Sequence, residues 1–233
     1  YARSMYNIQQ TVTPKEGRLQ VELDCIRPDA QVRYTMDGSA PTAQSPLYTK
    51  PLMLTEAKTI KAATFAGNEQ LGQMLELPVI WNKATAKPVK SAGTGDIYML
   101  TNGIRGSQKY TDQEWCSWMK SDTVTFTLDL KKPELVSKLT LGSITNYGMA
   151  VHKPAEIEVW ISGDDKEYRK VGECSYTKNE IFREGVFRED IPFEIGTEAR
   201  YVRVVARGAG DCPFTHVRPG QEARIYFDEI IIE

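Results

Sequence analysis

Side chains able to do chemistry are few in this chain and widely spaced. Histidine, the usual general base near neutral pH, occurs twice, at His152 and His216. No Gly-x-Ser-x-Gly turn presents a serine nucleophile, and no glycine-rich loop leads into a helix to cradle a phosphate. Four cysteines, Cys25, Cys116, Cys174 and Cys212, lack any Cys-x-x-Cys spacing, so a zinc ribbon or a thioredoxin-type redox pair has no support. Cys116 and Cys212 could pair if their loops met, although buried free thiols are the commoner outcome. Asp37 precedes Gly38, and an Asp in that position usually hydrogen-bonds its own turn rather than acting as a base or metal ligand. Asp228-Glu229 is an adjacent carboxylate pair, but neighbours on a strand point to opposite faces and do not converge on one bond. Nucleophilic and phosphoryl chemistries lack their parts, and the chain reads as non-catalytic.

The elements that must position these residues are strands. Apolar residues make up 41% of the 233 residues and charged residues 26%, an ordinary globular balance that supports a real core. Helical periodicity is nearly absent. Short alternating runs recur instead between Gly, Pro, Asn and Asp: Leu19-Val21-Leu23-Cys25, Val32-Tyr34-Met36, Val124-Phe126-Leu128-Leu130, Ile157-Val159-Ile161 and Tyr201-Val202-Val204. Each places its apolar members on one face, which predicts an all-β chain. The stretch Asn82–Gly93 is small, polar and Pro-interrupted, and reads as a connection between two cores. The expected domains are 1–86, of immunoglobulin-like size, and 87–233, of jelly-roll size.

Charge narrows the partners. The 29 Lys and Arg are scattered among 31 Asp and Glu, and without a basic stripe to displace phosphate counterions nucleic acid is disfavoured. Apolar runs such as Ile230 to Ile232 are far short of the ~20 residues that cross a bilayer, so no membrane span is expected. The opening Tyr1-Ala2-Arg3-Ser4-Met5-Tyr6-Asn7 has neither the basic start nor the apolar stretch of a secretory signal and reads as an internal cut.

In the first half, Val32-Arg33-Tyr34-Thr35-Met36-Asp37-Gly38-Ser39-Ala40-Pro41-Thr42 predicts a hairpin turned at Asp37-Gly38, followed by Ser45-Pro46-Leu47-Tyr48, Pro51-Leu52 and Thr59-Ile60-Lys61-Ala62. The order resembles the small immunoglobulin-like domain that follows the catalytic barrel in chitobiases and β-hexosaminidases, over roughly Tyr6 to Trp81. That resemblance implies a spacer or packing domain without chemistry of its own.

In the second half, Leu100-Thr101-Asn102-Gly103-Ile104-Arg105-Gly106-Ser107, Tyr110-Thr111-Asp112-Gln113-Glu114-Trp115, Thr127-Leu128-Asp129-Leu130 and Phe227-Asp228-Glu229-Ile230 arrive in order. So does Ile157-Glu158-Val159-Trp160-Ile161-Ser162-Gly163-Asp164-Asp165-Lys166-Glu167-Tyr168. From about Lys90 to Glu233 they resemble a discoidin-type sandwich, the coagulation-factor type C or family-32 carbohydrate-binding module with its galactose-binding-like jelly roll. The subset attached to family-20 β-N-acetylhexosaminidases also has a late Cys-Pro-x-x-His, here Cys212-Pro213-Phe214-Thr215-His216. In that family an Asp-Glu pair does the chemistry on a barrel, which Asp228-Glu229 on a sandwich strand does not reproduce.

The resemblance implies two sites. A structural calcium would draw on Asn102, Ser107 and Glu229, with Asn102 standing where the family usually has Asp and removing one charge. Carbohydrate would meet loops at one end of the sandwich holding Tyr110, Asn146, Tyr147, His152, Arg207, Phe214 and His216. Tyr147 and Phe214, beside turn-forming Gly148 and Pro213, are the expected stacking platforms. Trp115 and Trp118 are expected to be buried, whereas Trp160 alternates out of phase with Ile157, Val159 and Ile161 and faces the other side of its strand, with domain packing as the preferred reading. The implied function is a non-catalytic accessory region of a secreted, periplasmic or cell-surface β-N-acetylhexosaminidase, partnered by its own upstream catalytic domain and by galactose- or N-acetylhexosamine-type glycans, without a catalytic cofactor. A purely structural extension and a discoidin-like adhesion module are the alternatives; exposed hydrophobic spikes on the loops would mark the last.

Overall fold

The computed structural model of the protein describes residues 3–91, 97–118 and 123–233. Its strands fall into two compact units: residues up to Trp81 together with Asn102–Ile104, and Asn82–Thr101 with Arg105–Glu233. Both are β-sandwiches, as the alternating runs predict.

The first unit holds β1 (Gln9–Lys15), β2 (Arg18–Asp24), β3 (Gln31–Thr35), β4 (Leu52–Leu54), β5 (Lys58–Ala66), β6 (Glu69–Gln70) and β7 (Leu75–Val79). One sheet runs β1-β2-β4; the other runs β3-β5-β6, with β7 on β5. Leu19, Val21 and Leu23 of β2 alternate inward against Val12, Leu54 and Ile60. The turn at Asp37-Gly38 forms, with Gly38 at φ +81° and Asp37 Oδ1 accepting from Ser39 N at 2.9 Å and Ser39 Oγ at 2.6 Å. Those bonds hold the carboxyl below the ordinary Asp range, and its role is to fix the turn. The hairpin is wider than the sequence suggests, because the returning arm reaches β3 only at Leu47, bridged to Arg33.

The second unit holds β8 (Val89–Ser91), β9 (Cys116–Trp118), β10 (Thr123–Asn146), β11 (Glu156–Ser162), β12 (Arg169–Ser175), β13 (Val186–Arg207) and β14 (Ile225–Ile232). Two long antiparallel strands, β10 and β13, run through both layers. Their register breaks between Asp129 and Glu134, where Lys131 adopts φ +72° and its N–H is capped by Asp129 Oδ1 at 2.7 Å. On one side of that corner Thr123–Asp129 pairs with Tyr201–Arg207, flanked by β8, β11 and β12; on the other, β10 pairs with β13 and β14, and β14 with β9. Phe126, Leu128, Val159 and Val204 of one layer pack on Leu139, Leu141, Ile191 and Phe227 of the other. Trp115 is buried, as the resemblance implies, and so is Trp118. Trp160 is half-buried, its Nε1 donating to Glu158 Oε2 at 3.1 Å with the Lys170 ammonium 6.0 Å from its ring.

The expected connection is not an open linker. Ala84 lies in the second unit's core, Asn82 Oδ1 accepts from Ile232 N at 3.1 Å, and Ala86 N donates to Thr101 O at 2.9 Å. Small residues there serve close packing, a use that composition alone does not separate from flexibility. Ala92 and Gly93, which end the stretch, lie outside the described residues, as do Tyr1 and Ala2.

Candidate functional site

Three loops meet at one end of the second sandwich, and each is fixed by its own backbone. After β10, Tyr147-Gly148-Met149 makes a single 3-10 turn, Ala150 adopts φ +55°, and Asn146 and Val151 exchange backbone hydrogen bonds of 2.9 and 3.2 Å that close the loop. The chain then carries His152 inward. After β12, Thr177 caps the short helix Lys178–Ile181 through a reciprocal box with Glu180, leaving the Ile181 carbonyl turned toward His152. Between β13 and β14, Cys212 N donates to Gln221 O at 2.8 Å, Gly220 N to Cys212 O at 3.0 Å and His216 N to Pro213 O at 2.9 Å. This compact lobe holds Cys212 and His216 inside and puts Phe214 at its tip, 89% exposed. Arg218 ties the lobe to the first loop by donating to Gly148 O and, at 3.4 Å, to Met149 S.

Of the seven residues expected at a sugar face, Tyr147, His152 and His216 come together. The Tyr147 ring lies 4.0 Å from that of His216 and edge-on to His152 at 6.1 Å. His152 is 0% exposed and His216 4%, so both lie beneath the surface rather than on it. Burial pushes the His152 imidazole down to about 4, against the bond it donates to Ile181 O and with a smaller contribution from His216; burial and Arg218 lower His216 too. Asn146 ends β10 beside this group. Tyr110 packs edge-to-face on Tyr226, 5.8 Å away, next to Trp115, Ile144 and Val151. Arg207, at the end of β13, pairs with Glu156 at 3.4 Å instead. Phe214 stands out alone, with Val217 three residues on also 64% exposed.

Sequence reasoning missed three members. Cys212 contributes its sulfur to the His152 and His216 pair, and the donor atoms of all three lie within 4.8 Å of one another. Arg218 N donates to His216 Nδ1 at 2.9 Å, and the Phe182 ring stands 4.9 Å from His152. The Cys-Pro-x-x-His spacing was visible, but its partner His152 lies sixty residues upstream, across three strands. All four cysteines are free, Cys116 and Cys212 included.

The carboxylate pair is a structural core. Asp228, fully buried, accepts from Arg105 Nε at 2.9 Å, Gly106 N at 2.9 Å and Arg188 Nη2 at 3.3 Å, while Arg105 also pairs with Asp190. These bonds bear on calcium. Within the loop expected to bind it, Arg105 already supplies a cation to Asp228. Asn102 groups with the first unit, where its amide donates to Val12 O at 3.1 Å and accepts from Ile104 N at 3.1 Å; Ser107 Oγ accepts from Lys109 N at 3.2 Å. Calcium selects several oxygens of high negative charge. Asn102 and Ser107 would bring neutral oxygens and Glu229 the one carboxylate, so a cation held by these three side chains would meet a single negative charge.

Two family models match the sequence. The chitobiase/beta-hexosaminidase C-terminal domain covers residues 6–75, and the F5/8 type C domain covers residues 84–218, more than half of the chain. No curated protein matches it. Similar solved structures include CpGH89CBM32-6 from Clostridium perfringens, 18% identical with a TM-score of 0.37, covering 63% of this chain and 92% of that one. Another is chitosan-binding module 1 from a chitosanase/glucanase of Paenibacillus sp. IK-5, 16% identical with a TM-score of 0.43, covering 66% and 98%. A third is CpGH89CBM32-5 from Clostridium perfringens, in complex with GalNAc-beta-1,3-galactose, 15% identical with a TM-score of 0.40, covering 63% and 94%.

Proposed function

The chain belongs to the F5/8 type C domain family, and we propose that it is an accessory region of a secreted β-N-acetylhexosaminidase-like glycoside hydrolase that holds glycans through the loops at one end of its second sandwich. The observation that carries the reading is Phe214: a flat ring 89% exposed at the tip of a lobe braced by backbone hydrogen bonds. An exposed aromatic on a rigid loop is costly to leave in water and suited to the apolar face of a pyranose. Tyr147 offers a second, half-buried ring in the neighbouring loop, and Asn146 a hydrogen-bonding amide. The buried histidines act from below by holding Tyr147 in place. Retaining glycans near an upstream catalytic domain would raise their local concentration there.

Val217, 64% exposed beside Phe214, favours a second reading in which the lobe is an apolar spike for a lipid surface. A glycan array run beside vesicle sedimentation separates the two. The proposal expects binding to glycans ending in galactose, N-acetylgalactosamine or N-acetylglucosamine, and loss of that binding in Phe214→Ala. Binding to vesicles alone supports the spike, and binding to neither leaves a structural extension.

A further inference from the structure

Beneath the Tyr147 ring lies a cluster whose ligand chemistry the proposed sugar binding does not call on. Its hydrogen bonds fix the state of each imidazole. The Ile181 carbonyl can only accept, so His152 Nδ1, 3.0 Å away, carries its proton and His152 Nε2 is left with a lone pair. Arg218 N–H donates to His216 Nδ1, which places the His216 proton on Nε2, 3.1 Å from His152 Nε2. A directed chain results: Arg218 N–H to His216, His216 Nε2–H to His152, His152 Nδ1–H to Ile181. The Cys212 sulfur and one ring nitrogen of each imidazole lie within 4.8 Å of one another, and all three side chains are buried.

We propose that His152, Cys212 and His216 form a zinc site. The ligand types suit a borderline-soft cation, and a His anchored through Nδ1 to a backbone carbonyl is the usual arrangement for ligation through Nε2. Tetrahedral zinc with Zn–N of about 2.0 Å and Zn–S of about 2.3 Å separates its ligand atoms by roughly 3.3 to 3.5 Å. The two nitrogens already meet that spacing. The sulfur, within 4.8 Å of a ring nitrogen of each imidazole, has to move closer to complete the set. Zinc would replace the proton now shared by the two nitrogens. The Cys212 thiol proton leaves to solvent, the His216 proton moves from Nε2 to Nδ1, and the Arg218 amide gives up its bond there. Three protein ligands leave the fourth position to a water. Because the cluster braces the Tyr147 loop and the Phe214 lobe, the metal would cross-link β10–β11 and β13–β14 connections that are otherwise joined by hydrogen bonds.

The test uses the purified chain stripped of metal. Zinc titration should saturate at one ion per chain and raise the melting temperature, and Co2+ in its place should give a thiolate charge-transfer band. Stoichiometric zinc should also protect Cys212 from iodoacetamide in the wild-type protein, read cysteine by cysteine by mass spectrometry, while leaving Cys174 labelling unchanged. Cys212→Ser should remove the cobalt band and weaken zinc at least tenfold. No saturable binding, binding without protection of Cys212, or a cobalt band that survives Cys212→Ser would overturn the site. The protection arm requires no variant, so a Cys212→Ser chain that fails to fold leaves the proposal open to refutation. Sugar binding is read separately, and its loss or retention bears on the proposed function alone.

Discussion

Replacing Gly142 by alanine is expected to unfold the second sandwich at markedly lower temperature without touching any loop at the proposed sugar face. A methyl carbon built on Gly142 overlaps Asp228 Oδ1 and falls 2.7 Å from the Asp228 Cγ and 2.8 Å from Arg105 Nη2. Asp228 has nowhere to move, since Arg105, Arg188, Gly106 N and the Glu229 amide all hold it in a site with no solvent exposure. Accommodating the methyl means breaking contacts of a buried carboxylate, which costs about 3–5 kcal/mol when a partner is lost. The lower end applies because the Arg105 and Arg188 side chains are 24% and 33% exposed and keep part of their hydration. At roughly 2–4 °C per kcal/mol for a domain of this size, a loss of about 3 kcal/mol lowers Tm by about 6–12 °C. Tryptophan fluorescence is a suitable reporter, as Trp115, Trp118 and Trp160 all belong to this unit. Gly163→Ala, where an added Cβ meets nothing within 4 Å, is the control and should change stability by less than about 0.5 kcal/mol. A Gly142→Ala protein melting with the wild type would refute the view that Asp228 is locked by its cations.

Three further outcomes follow from other sites. Burial pushes the Cys116 thiol up to about 12, so in native protein at pH 8 Cys116 should resist iodoacetamide while half-buried Cys25 labels; equal rates would show that the core opens readily. Burial of Asp129 raises its carboxyl, but Arg200 and the Lys131 N–H outweigh this and hold it below the ordinary range. A depressed carboxyl contributes stability above its unfolded value, near 3.9, that is lost as pH falls through the folded one. Arg200→Gln should therefore lower the urea midpoint slightly at pH 7 and converge on the wild type at lower pH; a constant gap would contradict the pairing. Millimolar Ca2+ added to metal-free protein should shift Tm by less than about 1 °C, and a larger rise that Glu229→Gln abolishes would place calcium at the Asn102, Ser107 and Glu229 set.

Period-two alternation made the strands legible because burial of one face per strand is a local demand. Val124, Phe126, Leu128 and Leu130 were readable for that reason, as were Ile157, Val159 and Ile161. The corner at Asp129–Glu134, which lets one strand serve both layers, depends on Lys131 at positive φ and gave no such periodic sign. The loops were found from local cues: Pro213 and Gly148 do flank exposed or half-exposed rings. Depth was not. A histidine reads the same whether it meets solvent or a second histidine, and only the meeting of residues 152, 181, 212, 216 and 218 puts His152 and His216 under the surface. Arg105, likewise, reads as a surface cation until Asp228 and Asp190 are brought to it.

On the proposed reading the Phe214 lobe holds a sugar. Isothermal titration of N-acetylgalactosamine- and galactose-terminated disaccharides into the wild type and Phe214→Ala, both shown to melt alike, tests it most directly. Saturable 1:1 binding that weakens by roughly 5- to 30-fold in the variant, the equivalent of about 1–2 kcal/mol of lost stacking, is the predicted result. Binding that Phe214→Ala leaves unchanged, or no saturable binding by the wild type, would contradict it.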